Sequence, residues 1–194
     1  MARTVNIHHR QALLRAVARH LVEHGIADQS LSDIAAGIGT SARMLIHHFG
    51  TKDALVASAL EIARQWQLDE AQRYLQPAAD AVAVLRGSWS WLVSDRTLSY
   101  FRLFQQVAAL ERLQGVDAPT SFSPRLGEDW RPLVRSVFEA DPRFHDEASF
   151  ADLTIAFYRG LALELIHEAQ RSRQRQAFER FIELLRASRE GHEV

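Results

Sequence analysis

Apolar residues recur at intervals of three and four along most of the chain, and no stretch alternates β-branched residues as a half-buried strand would, so the pattern predicts an all-α protein. The most informative stretch is Ser30 to Phe49, SLSDIAAGIGTSARMLIHHF, which sets two short helical segments around a glycine-bearing turn. Ser30 is a good N-cap, and Asp33 three residues later can reach back to its amide, so a helix is expected to begin at Leu31. Ile34, Ala35 and Ile38 fall on the inward side, and small Ala36 lets a second helix approach. Gly37 and Gly39 supply the permissive backbone of a turn from Gly37 to Thr40. Thr40 or Ser41 then caps a second helix. Its inward residues are Leu45 and Phe49, with His48 packed beside Phe49, which leaves Ala42, Arg43, Met44, Ile46 and His47 along one exposed side. Two helices joined this tightly form a helix-turn-helix, whose second helix is presented to a DNA major groove.

Beyond Leu55 the spacing stays helical. Helices are expected over about 52–74, 78–93, 95–113, 128–139, 147–170 and 174–189, making about nine in all. Pro77 and Asp141-Pro142 break the pattern, and Ser94-Asp95 reads as a cap for the third of these helices. The stretch 114–127, with its glycines, prolines and hydroxyl residues, reads as the longest loop. The expected organisation is a DNA-binding domain over residues 1–52, with three helices including the helix-turn-helix, and an all-helical second domain over 53–194.

The match to one known family extends on both sides of the turn. Arg10 to Gly25, apolar at Leu13, Leu14, Val17, Ala18 and Leu21, resembles the first helix of the TetR family of bacterial transcriptional regulators and its glycine stop. Gly50-Thr51-Lys52-Asp53-Ala54-Leu55 resembles the family's connector, with a lysine that anchors a backbone phosphate at the head of the next helix. Where the family usually reads Leu-Tyr-His-Tyr-Phe, this chain has Leu45-Ile46-His47-His48-Phe49, so a phosphate-binding phenol is replaced by an isoleucine. Ile46 offers apolar contact such as a thymine methyl accepts. His47 has two readings, a phosphate or base contact and a solvated surface histidine.

The roles follow from side-chain chemistry. Arg43 is the base-reading residue, through guanine or a nearby phosphate; Ala42, Met44 and Ile46 give apolar shape; Thr40, Ser41, His47 and Lys52 position the backbone, and Ser30 joins this set from the head of the first reading helix. A lone helix-turn-helix reads few bases, so a homodimer is expected to present two reading helices about 34–36 Å apart, or a multiple, on a palindromic double-stranded operator.

Composition narrows the alternatives. A net charge of −1 over 194 residues argues against a protein that coats nucleic acid indiscriminately, while basic residues outnumber acidic ones up to Lys52. His8, His9, His20, His24, His47 and His48 also sit there, so DNA affinity is expected to rise in mildly acidic buffer. Cysteine is absent, which excludes disulfides and thiol redox sensing. Neither an apolar signal region at Met1 to Asn6 nor the roughly 20 apolar residues of a membrane helix is present, so a cytoplasmic protein without a membrane partner is expected. Arg3, His8 and His9 precede or open the first helix, as DNA contacts or as a mobile arm.

Other chemistries are weaker. His20-Leu21-Val22-Glu23-His24 spells the H-x-x-E-H pattern of some metalloproteases, but the same residues close the family-like first helix, so a metal-dependent hydrolase is a distant alternative. There is no G-x-S-x-G, Walker loop or dinucleotide fingerprint; no enzyme activity, metal or cofactor is expected.

In the second domain, aromatic residues are core first, yet they also line apolar pockets. The resemblance implies that a small, largely apolar effector binds among the helices over roughly 52–139. The candidates are Trp66, Trp89, Phe101, Phe104, Glu111 and Trp130; Trp89 and Trp91, two apart, cannot share a helix face. A regulator without an effector is the nearer alternative. Leu153, Phe157, Leu161, Glu164 and Leu165, then Phe178, Phe181, Ile182 and Leu185, form stripes that read as core or interface. The resemblance implies that these last two helices pair with their copies as a four-helix bundle, Gly160 permitting close approach.

Overall fold

The computed structural model describes residues 2–113, 128–167 and 171–190, and every regular element among them is a helix. In chain order these are α1 (Ala2–His24), α2 (Leu31–Gly37), α3 (Ala42–Phe49), α4 (Lys52–Tyr74), α5 (Ala81–Gly87), α6 (Trp89–Leu92), α7 (Asp95–Leu113), α8 (Trp130–Glu139), α9 (Glu147–His167) and α10 (Arg171–Glu190). The helix expected over 78–93 is two pieces, α5 and α6, meeting at Ser88. Counted as one bent element, they bring the described helices to the nine expected. The expected loop over 114–127 lies outside the described residues.

Local chemistry explains most boundaries. Gly25 ends α1 with φ +78, a conformation L side chains rarely adopt. The expectation that α1 opens near Arg10 is corrected, since the helix begins at Ala2 and Arg3, His8 and His9 lie within it. The Asp80 carboxylate accepts from the Ala83 amide at 3.0 Å and caps α5. Ser94 Oγ accepts from the Thr97 amide at 3.2 Å at the head of α7, the cap read from sequence. At the α5–α6 bend, buried Ser88 donates to the Leu85 carbonyl at 2.7 Å and lies 2.7 Å from the Tyr158 hydroxyl, which also reaches the Leu85 carbonyl as a donor at 3.3 Å. Burial pushes the Tyr158 pKa above its ordinary range and keeps that donor protonated.

The chain divides into two compact units. One comprises Met1–Gln67 with Arg102–Ser123, the other Leu68–Phe101 with Pro124–Val194, so α4 and α7 each contribute to both. The first unit is centred on Val17, Ala18 and Leu21 of α1, Ile34 of α2, Leu45 of α3, Leu55 and Ala59 of α4, and Leu103 of α7, all 0% exposed. Each fully buried leucine or valine contributes roughly 1.5–3 kcal/mol.

The second unit is built on aromatic residues, among them Trp91, Trp130, Phe138, Phe144, Tyr158 and Phe178. An ionic cluster closes one end of it. Asp141, 0% exposed, accepts from the Ala81 amide at 3.0 Å, from Arg143 Nε at 2.7 Å and from Arg189 at 2.9 Å, while Arg189 also pairs with Asp80. Burial pushes the Asp141 carboxyl up, but the hydrogen bonds from Arg143 and from the Ala81 and Arg143 amides, with the Arg189 charge, outweigh it and hold its pKa below the ordinary value.

Candidate nucleic-acid interface

The helix-turn-helix forms where the capping residues place it. Ser30 Oγ accepts from the Asp33 amide at 3.2 Å and the Asp33 carboxylate accepts from the Ser30 amide at 2.8 Å, a complete capping box. The Ser30 hydroxyl also donates to Asp33 at 2.6 Å, and these bonds from Ser30 lower the Asp33 pKa. The turn is tied by the Ile38 amide to Ile34 (3.2 Å), Gly39 to Ala36 (3.1 Å) and Thr40 to Ala35 (2.9 Å), with φ +70 at Gly39. Ser41, not Thr40, caps α3, accepting from the Met44 amide at 3.2 Å.

One glycine has a different job from the one expected. Gly37 is the last residue of α2, and a Cβ there would stand 2.3 Å from His20 Cε1, so its bare backbone makes room for the α1 histidine. Ala36, expected at a helix contact, is exposed.

On α3, Leu45 and Phe49 are buried and Arg43, Met44, Ile46 and His47 are exposed, with Ala42 half-buried, as the spacing predicts. Met44 and Ile46 are 38% and 43% exposed, adjoining apolar side chains held in water beside an arginine. That combination suits base edges and thymine methyls in a major groove. Thr40 is half-buried and Ser30 and Ser41 are exposed.

Contacts that sequence reasoning missed set the pose of α3. Arg10 of α1 donates through Nε to the His48 carbonyl at 3.2 Å and lies over the Phe49 ring, 4.8 Å from its centroid. Its cation thus sits at the negative end of the α3 dipole. His48 is half-buried, with the His9 and His47 rings 5.5 and 5.2 Å away; desolvation first, then the charges of His47, His9 and Arg10, lowers its pKa.

Lys52 opens α4, half-buried, and donates its ammonium to the Gln29 carbonyl. An ammonium has three N–H donors, so the contact leaves donors for a phosphate. The H-x-x-E-H residues are engaged otherwise. His20 Nε2 lies 2.7 Å from Gln29 Oε1, the His20 and His24 rings stack at 4.5 Å, and His24 Nδ1 meets the His20 carbonyl at 3.1 Å. Among the described residues no three His, Cys, Asp or Glu side chains are grouped as metal ligands, and no helix is long and apolar enough to cross a membrane.

The six candidate effector residues are split between the units. Trp66, Phe104 and Glu111 belong to the first, Trp89, Phe101 and Trp130 to the second. Trp89 packs on Phe178 at 4.9 Å under the Arg175 guanidinium, and Trp130 on Trp91 at 5.8 Å. Phe101, Trp66 and Glu111 are half-buried, Phe104 buried. A groove of about 460 Å³ between α8 and α9 is lined by Glu128, Arg131, Arg135, Glu139 and Asp152 among others, and by none of the six.

Of the residues expected at the interface, Leu161, Phe178, Phe181, Ile182 and Leu185 are at most 6% exposed and packed into their own second-unit core. Half-buried Phe157 stacks on Phe181 at 4.1 Å. Gly160 and Glu164 are exposed, and open space surrounds the Gly160 Cα. The apolar side chains these helices leave in water are Leu153 and Leu163 on α9 and Leu184 on α10.

Residues 13–59, from α1 into α4, match the family described as bacterial regulatory proteins, tetR family. A curated relative, the HTH-type transcriptional regulator BetI 1 of Chromohalobacter salexigens, is 29% identical over 121 residues, or 56% of this chain; the match spans 58% of that regulator's length. Among solved structures, a putative TetR-family transcriptional regulator from Rhodococcus sp. superposes with a TM-score of 0.63 at 19% identity, covering 90% of this chain and 97% of that one. A TetR-family member from Streptomyces coelicolor A3 gives 0.59 at 21% identity over 88% and 96%. AibR, solved with isovaleryl coenzyme A and operator DNA, gives 0.55 at 17% over 90% and 96%. These structural likenesses establish the fold. The capped helix-turn-helix lies within the residues that match the tetR family description, so the family likeness covers the α1–α4 region that carries it.

Proposed function

We propose that this protein is a sequence-specific DNA-binding transcriptional regulator, which binds a palindromic operator as a homodimer through α3 and is released by a small, largely apolar effector. The observation that carries the reading is the face of α3: Arg43, Met44, Ile46 and His47 stand in solvent while Leu45 and Phe49 anchor the helix from behind. Arg43 reads a base, Met44, Ile46 and Ala42 supply apolar shape, and Lys52, His47, Thr40, Ser41 and Ser30 hold the register on phosphates. Pairing through exposed Leu153, Gly160, Leu163, Glu164 and Leu184 supplies the second reading helix. Repression follows if the bound dimer occludes transcription. Two buried polar atoms without a hydrogen-bond partner, Trp91 Nε1 and Thr154 Oγ1, support an effector in the second unit, because a ligand's polar atoms would satisfy them. An effector would act by favouring a conformation that no longer fits the operator.

Selection of bound sequences from random duplex DNA, followed by titration of the enriched duplex at two salt concentrations, tests this reading. Enrichment of a palindrome is expected; weak binding without enrichment would refute it. A second reading, a regulator with no small-molecule effector, is favoured by the packing of Trp89 on Phe178 and of Trp130 on Trp91. It predicts that no apolar ligand releases the enriched duplex.

A further inference from the structure

We propose that Gln106, on the part of α7 that belongs to the first unit, is a positioning residue for the DNA-binding face, acting through the loop between α1 and α2. The proposal rests on the DNA-binding reading above. Gln106 Oε1 accepts from the Ile26 amide at 2.9 Å, a bond between residues 80 apart in sequence. Its carboxamide also lies flat against Gly25, where a Cβ would stand 2.4 Å from Oε1 and 3.0 Å from Nε2. Gly25 is thus required twice, for its φ of +78 and for the space that Gln106 occupies.

From that clasp hydrogen bonds run to His20, which packs over the end of α2, and to Lys52, beyond the end of α3. The Gly25 carbonyl accepts from Gln29 Nε2 at 2.9 Å, which turns Gln29 Oε1 toward His20 Nε2 at 2.7 Å, so His20 carries its proton on Nε2 and donates it. The His20 ring in turn fills the space over Gly37, the last residue of α2. The Gln29 main-chain carbonyl holds the ammonium of Lys52, three residues past the end of α3. Gln106 therefore fixes the loop whose Gln29 sets the α2 terminus through its side chain and His20, and holds the Lys52 cation through its main-chain carbonyl.

The test uses the full chain with Gln106→Met, which keeps the length and removes the acceptor, and Gln106→Glu, which keeps an acceptor for the Ile26 amide. Titration of the enriched duplex is done at a temperature where circular dichroism shows every variant fully folded. Gln106→Met should bind about tenfold more weakly, about the effect of stranding one partly buried amide, and Gln106→Glu should recover most of that loss. Binding by Gln106→Met within twofold of the wild type would overturn the proposal, as would an equal loss in both variants. Hydrogen exchange without DNA separates this failure from failure of the DNA reading. In Gln106→Met, faster exchange should spread from Ile26 to residues 37–40; exchange confined to Ile26 would overturn the positioning role even if no duplex is enriched by the wild type.

Discussion

Replacing Gly37 with alanine tests the contact that seats α2 on α1. In an ordinary helix the change is favourable by up to about 1 kcal/mol, from backbone entropy alone. Here the new Cβ would lie 2.3 Å from His20 Cε1 and 2.6 Å from Nδ1. The ring cannot swing aside freely, because its Nε2 is bonded to Gln29 at 2.7 Å and its face stacks on His24 at 4.5 Å. Displacing it costs about 1 kcal/mol for the hydrogen bond and about 1–3 kcal/mol for overpacking, so the net loss is about 1–3 kcal/mol. For a chain of this size that corresponds to a melting point lower by roughly 2–12 °C. Urea denaturation of four proteins isolates the effect: wild type, Gly37→Ala, His20→Ala and the double variant. Gly37→Ala should destabilise the wild type yet be neutral or stabilising once His20 is alanine, with m-values unchanged. A single Gly37→Ala variant as stable as the wild type would refute the reasoning.

Three further outcomes follow. Lys52→Ala should weaken binding to specific and random duplexes alike and lower the salt slope by about 1, measured by titration over a salt series; a loss confined to the specific duplex would contradict a phosphate contact. Asp141→Asn strips a buried carboxylate from Arg143 and Arg189 and should cost about 3 kcal/mol, or roughly 6–12 °C in melting point. The pH dependence has a definite sign: the folded-state pKa of Asp141 lies below its ordinary 3.8, so its stabilisation is complete above that pH and is lost as pH falls below it. Wild-type stability should therefore decline below about pH 4, and more steeply than that of Asp141→Asn, in melts across pH 5 to 2.5. Leu184→Glu, at a side chain 60% exposed, should shift the chain toward monomer in light scattering and weaken operator binding, while the melting point of the monomer stays unchanged.

Much of the fold and the exposed face of α3 was legible because the signals are local. Ser30 and Asp33 are three residues apart and complete each other's hydrogen bonds, and Leu45 and Phe49 fall one helical turn apart, so Arg43 and Ile46 had to face outward. At the break, the bond from Ser88 to Tyr158, 70 residues on, was not legible. Nor was the role of Gly37. A glycine before a turn reads as a turn residue, and only the approach of the His20 ring shows that it is a gap between helices. On α10 the spacing of Phe178, Phe181, Ile182 and Leu185 identifies an apolar face, but periodicity cannot say whether that face meets its own core or a partner. The α9 contact, with Phe157 stacked on Phe181, settles that for the protomer. Arg10, Gln29 and Gln106 gave no signal, because a single polar side chain on a helix looks alike whether it meets water or a carbonyl far along the chain.

The central claim, that the exposed face of α3 reads DNA sequence, is tested most directly by titrating wild type and Arg43→Ala against the enriched duplex and a scrambled duplex of equal length at fixed salt. Arg43→Ala should lose about 1–3 kcal/mol, roughly 5- to 150-fold, on the enriched duplex and far less on the scrambled one, with preference relaxed at one position per half-site. Equal losses on both duplexes would contradict the account.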